Sequence, residues 1–181
     1  MDEKEMDNKS KISFNKTKFM VLTALLFAVA IVLSIVENTL PPLPAAVPGV
    51  KLGLSNIAVM YALFFLGKKE AFAIAVLKAL FVFITRGAVA GFLSLSGGIL
   101  SLAVMIIMMI IFRDKVSYLI TSIFGSVFHN VGQFIAIYCI YTSIYLWAYL
   151  PVLLISGVIA GIATSTLLKF IFPAFKKLGL K

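Results

Sequence analysis

Six apolar runs, divided from one another by a few polar or turn-forming residues, leave this chain of 181 residues little choice of solvent. Crossing the hydrocarbon core of a bilayer takes about 20 apolar helical residues. Runs of that order, the second and third shorter, occupy 19–36, 52–66, 70–85, 88–112, 117–140 and 150–172. In lipid the backbone must satisfy its own hydrogen bonds, so each run is expected to be a helix. The predicted fold is an all-α membrane protein, with six transmembrane helices over 19–177. Before them, MDEKEMDNKSKISFNKTK (1–18) is polar and mixed in charge, and is expected to be a disordered cytoplasmic tail. The apolar runs beyond residue 18 are too long and too often repeated for a cleaved signal peptide. The spans leave no length for a separate soluble domain.

The connections refine this picture. GKKE (67–70) is a tight polar turn that predicts an antiparallel hairpin of the second and third helices. Pro41, Pro42, Pro44 and Pro48 make 38–51 non-helical, yet TLPPLPAAVPGVKL is too apolar for a free linker and is expected to fold back over the helices. Pro151 suits the first turn of the sixth helix, and the aromatics of YTSIYLWAY before it suit a membrane interface. With the N-terminus in the cytoplasm, the inner side receives Lys4, Lys9, Lys11, Lys16, Lys18, Lys68, Lys69, Arg113, Lys115, Lys169, Lys176, Lys177 and Lys181, 13 of the 16 cations. Lys51 and Arg86 fall outside and Lys78 falls within a span. That distribution obeys the positive-inside rule and places both termini in the cytoplasm. The net charge of +9 thus reports orientation and contact with anionic lipid, with no need of nucleic acid.

Several chemistries are excluded. There is no GxxxxGK[ST] phosphate loop for ATP hydrolysis. Four of the seven acids lie in the first seven residues, and Glu37, Glu70 and Asp114 fall far apart. Carboxylates therefore cannot gather around a metal ion as a magnesium-dependent diphosphate enzyme requires. The single histidine, His129, has no carboxylate at its depth for hydrolase chemistry, and the single cysteine, Cys139, excludes an internal disulfide. No catalytic residue, metal or cofactor is expected.

What remains is a set of polar groups inside the membrane. In LKALFVFITRG (77–87), Lys78 lies about 12 Å and Arg86 about 24 Å from the inner end of the third helix. Glu37, about 27 Å along the first helix, is level with Arg86 and about 15 Å above Lys78, too far for a direct pair. Lys78 then either snorkels to the cytoplasmic headgroups or faces a wet cavity that receives an anionic solute. In FHNVGQF (128–134), His129 and Gln133 share a helical face with Asn130 on its flank. These three either bond neighbouring helices or form a solute site. Gly97 and Gly98 of SLSGGILS (94–101) either let the backbone approach a ligand or serve packing. Ala24 and Ala28 in TALLFAVA, and Gly157 and Gly161 in SGVIAG, are small-xxx-small pairs that allow close helix approach. One pair is expected inside the bundle and the other, Ala24 and Ala28, against a partner.

The ordered runs PGVKLGLSNIAVMYALFFLGKKEA, ITRG, SLSGG and FHNVGQ resemble the heptaprenyl diphosphate synthase component I family, also called the Gx transporter family. That family is similar to the substrate-binding S components of energy-coupling factor (ECF) transporters. The resemblance spans about 19–175 and implies a multi-pass S-component bundle in the cell membrane that binds a small solute, anionic or a vitamin or cofactor precursor. It also implies partners: a transmembrane coupling subunit, which small residues on the first helix (here Ala24 and Ala28) would contact, and two ATPases. The second reading is a non-catalytic membrane subunit of heptaprenyl diphosphate synthesis. A self-sufficient carrier is disfavoured, since no inverted repeat is evident. The resemblance does not identify the solute.

Overall fold

The computed structural model describes residues 3–39, 54–112, 117–142 and 144–177, with side chains described for most of 17–170. The proline-rich connection 38–51 lies almost wholly outside them, as do Arg113 to Val116. Six α-helices succeed one another: α1 (Glu3–Thr39), α2 (Asn56–Phe65), α3 (Lys68–Arg86), α4 (Ala88–Phe112), α5 (Tyr118–Tyr141) and α6 (Leu150–Lys177). A short 3-10 turn, Ile144–Tyr149, leads into α6. The backbone of α1 is helical from Glu3, inside the stretch that composition alone gives to a disordered tail. Its Glu and Lys residues are good helix formers, which lets the helix extend beyond the apolar run.

Four segments are long and apolar enough to cross a bilayer: Thr17–Glu37, Ala88–Phe112, Tyr118–Tyr141 and Leu146–Phe170. With the outward faces of α1, α4 and α6 carrying exposed Met20, Val32, Ile110, Ile155 and Phe170, the molecule is a multi-pass membrane protein. The second run differs from expectation. α2 has ten residues, about 15 Å of helix, and starts at Asn56 rather than at 52. Its first eight residues are buried, because α1, α3, α4 and α6 all pack against it. α2 is a core plug, and its N-terminus is buried within the bundle. α3 has the length of a span, but Lys68, Lys69, Glu70, Lys78 and Arg86 lower its apolarity.

Two glycines fold the chain back on itself. Gly67 (φ 141°) closes the α2–α3 hairpin, where the N–H groups of Leu66 and Gly67 both donate to the carbonyl of Ala62. Gly87 (φ 89°) alone joins α3 to α4. Both conformations are costly for any residue with a Cβ. The main core gathers Leu26 and Ala30 of α1, the buried face of α2 from Ala58 to Leu63, Ile74 and Ala75 of α3, Leu102 and Met105 of α4, and Leu168 of α6. Beyond it, α3, α4, α5 and α6 pack each against the next.

Glycines set those later seams. A Cβ on Gly132 of α5 would come within 2.8 Å of the Gly97 Cα of α4. One on Gly157 would meet the Val127 Cα at 2.9 Å, and one on Gly161 would strike the Ile123 backbone. The pair Gly157 and Gly161 is therefore an internal seam between α5 and α6, bonded across by Ser122 Oγ donating to the Gly161 carbonyl at 2.8 Å. Ala24 and Ala28 are exposed on α1.

Candidate functional site

One end of the bundle brings together the end of α1, the start of α2, the last turns of α3, the first turns of α4 and the second half of α5. There a small polar cavity of about 30 Å³ is lined by Ser34 and Glu37 (α1), Ser55, Lys78, Val82 and Arg86 (α3), Ala90 and Ser94 (α4), and His129 and Gln133 (α5). The spacing explains the membership. Residues 34 and 37, 78, 82 and 86, 90 and 94, and 129 and 133 each recur at three or four, so each helix offers one inward stripe. The volume suits about one water molecule rather than a solute.

Lys78 is 3% exposed and so does not reach the bundle surface. Its ammonium donates to Asn56 Oδ1 at 2.5 Å. Asn56 and Lys78 are each eleven residues from Gly67, so the α2–α3 hairpin brings them level. Glu37 lines the same cavity as Lys78 and Arg86. Glu37 and Lys78 thus share one cavity although helix rise puts them about 15 Å apart along the axis. Counting rise from each helix end assumes that all helices start at one depth, and it ignores the reach of two extended side chains. Arg86, expected to lie level with Glu37, lines that cavity with it.

On α5, His129 and Gln133 are buried and contact each other, ring Nε2 to amide Nε2 at 3.2 Å. With the amide N–H donating, the ring nitrogen is the acceptor. Gln133 Oε1 has no hydrogen-bond partner among the described residues. Asn130 turns away from the cavity: its Nδ2 donates to the Leu153 carbonyl at 2.8 Å and to Ser156 Oγ at 3.2 Å, tying α5 to α6. Gly97 and Gly98 do not line the cavity either. Gly97 lies against His129, where a Cβ would stand 2.7 Å from the histidine carbonyl and 2.9 Å from ring Nδ1. Gly98 faces Ala75 of α3 at an ordinary contact distance.

Of the seven residues expected to hold solute, the fold thus gathers Lys78, Arg86, His129 and Gln133 at one cavity. Gly97 sits behind the histidine, and Asn130 and Gly98 are at helix seams. The expected set lacks the wall residues Ser34, Ser55 and Ser94, and Asn56, which bonds Lys78. The signal for Asn56 was present: an amide opening an otherwise apolar helix needs a partner at depth.

The sequence profile of the heptaprenyl diphosphate synthase component I family matches residues 26–171. The chain belongs to that family. The match takes in every residue of the cavity wall. This family member also shares its fold with a solved structure, the S component of a bacterial ECF transporter. The TM-score is 0.69 at 19% identity, and the match covers 90% of this chain and 98% of that one. None of the curated proteins matches.

Proposed function

We propose that the chain is the solute-binding S component of an ECF-type uptake transporter, and that its solute is small and carries an anionic group, as many vitamin and cofactor precursors do. The observation that supports this most is the cavity: two cations, one carboxylate and several neutral polar groups, enclosed at one end of a bundle with the S-component fold. A lysine in the membrane is costly, on the order of 2.5–3.5 kcal/mol on insertion scales. Asn56 and Glu37 offset part of that cost. An anionic group of the solute would gain charge-assisted hydrogen bonds from Lys78, with Arg86 nearer the mouth drawing it in. His129 and Gln133 orient the neutral part. Gly97, Gly98 and Asn130 act at one remove, fixing the spacing of α3, α4, α5 and α6 around the cavity.

On this reading the chain is not an enzyme. All six apolar runs lie in the cell membrane, with α2 as a short buried plug, and the cation distribution keeps both termini cytoplasmic. The exposed Ala24 and Ala28 form the docking surface for a transmembrane coupling subunit, which joins the chain to ATPases. Co-expression of the tagged chain with an ECF module tests the assignment. The coupling subunit and both ATPases should co-purify with the wild type, and their absence from a folded preparation would sink the proposal. The family's description favours a second reading, a non-catalytic membrane subunit of heptaprenyl diphosphate synthesis. That reading predicts capture of a prenyl synthase chain instead.

A further inference from the structure

Glu37 is the only acidic side chain on the cavity wall among the described residues, and it is buried to 6% exposure opposite two cations. A buried carboxylate needs a cation to face it, but one would be enough. Counting Lys78 and Arg86 against Glu37, with the imidazole taken as uncharged, leaves a single positive charge in excess. In a medium of low dielectric, that excess is best met by a solute group with one negative charge. A group with two, such as a phosphate monoester or a diphosphate, would set its second charge against Glu37 with no cation left to face it.

We propose that Glu37 is the specificity-determining residue of the cavity: by engaging one of the two cations it restricts the site to monoanionic groups of the carboxylate class and rejects dianions. The inference rests on the solute-binding reading above. The rest of the wall is consistent with such a solute. Ser34, Ser55, Ser94 and Gln133 offer neutral donors and acceptors, and the unpartnered Gln133 Oε1 suits an N–H or O–H of the remainder.

Acetate and methylphosphonate, at a pH where the latter is doubly ionised, share a methyl group and differ in charge. Each is titrated into the full-length detergent-solubilised protein while the thermal unfolding midpoint is monitored. The wild type should bind acetate more tightly. Glu37→Gln should shift the ratio toward methylphosphonate by roughly a hundredfold, the order for a unit charge a few ångströms away at an effective dielectric near 20. Glu37→Gln with Lys78→Met returns the count to one and should restore the preference for acetate. Should Glu37→Gln fail to fold, Arg86→Gln tests the same count, since a neutral cavity should lose acetate binding by a similar factor. A wild type that prefers methylphosphonate, or a ratio unmoved by Glu37→Gln, overturns the charge assignment and leaves the solute-binding reading standing. Absence of any saturable shift with either anion in every variant overturns both.

Discussion

Lys78 and Asn56 show how a cation buried within an apolar bundle is held. The amide oxygen of Asn56 accepts from the ammonium, and Glu37 lines the same cavity. A hydrogen bond to a charged group contributes about 1.5–3 kcal/mol, and removing one partner leaves the other desolvated. Asn56→Leu should therefore lower unfolding stability by about that amount. Adding Lys78→Met should recover most of the loss, because replacing both partners with apolar groups is nearly neutral. A double-mutant cycle in calorimetry checks this, and additive losses would mean the two side chains do not couple. Lys78 stood out in the sequence because an ammonium in an apolar run is anomalous on any counting. Its partners did not, since pairing across helices depends on their relative depth. That depth is fixed by the short α2 and its single-glycine turn rather than by any run length.

The two small-residue pairs differ in what they meet. Gly157 and Gly161 meet α5 backbone directly, whereas Ala24 and Ala28 are exposed on the outside of the bundle. Gly161→Ala would press a methyl into the Ile123 backbone and should cost about 1–3 kcal/mol by overpacking, read as a lower unfolding midpoint of the isolated chain. Ala28→Leu should leave that midpoint unchanged and reduce co-purification with a coupling subunit. If Ala28→Leu instead unfolds the chain, the surface assignment is wrong. Most helix positions were legible. The run 88–112 coincides with α4, and the runs 70–85 and 117–140 lie within two residues of α3 and α5, because long apolar stretches bounded by charge or glycine leave few alternatives. The start of α2 was not legible. Leu52 and Gly53 read as apolar continuation, and only packing on four neighbouring helices decides where so short a plug begins. The two small-residue pairs were equally legible as motifs, and only the fold separates the inner from the outer.

The assembled molecule carries its strongest polar chemistry at one end of an apolar bundle, and the family match takes in that end. Enclosure matters here, since charges facing bulk water would be screened and could not discriminate among solutes. On the solute-binding reading, a cavity this small would have to open by displacing part of its wall. α1 is the candidate element, because it contributes Ser34 and Glu37 without a glycine seam to hold it. Restraining α1 against α3 with a cross-link between cysteines placed in the two helices should abolish uptake reversibly, with transport returning on reduction. The account stands most directly on whether this cavity holds a molecule at all. Native mass spectrometry of the gently purified wild type and Lys78→Met decides it. The wild type should carry a small molecule that dissociates on activation, and Lys78→Met, equally folded, should lack it. Identical bare masses for the two proteins, or a molecule retained equally by both, would contradict the account.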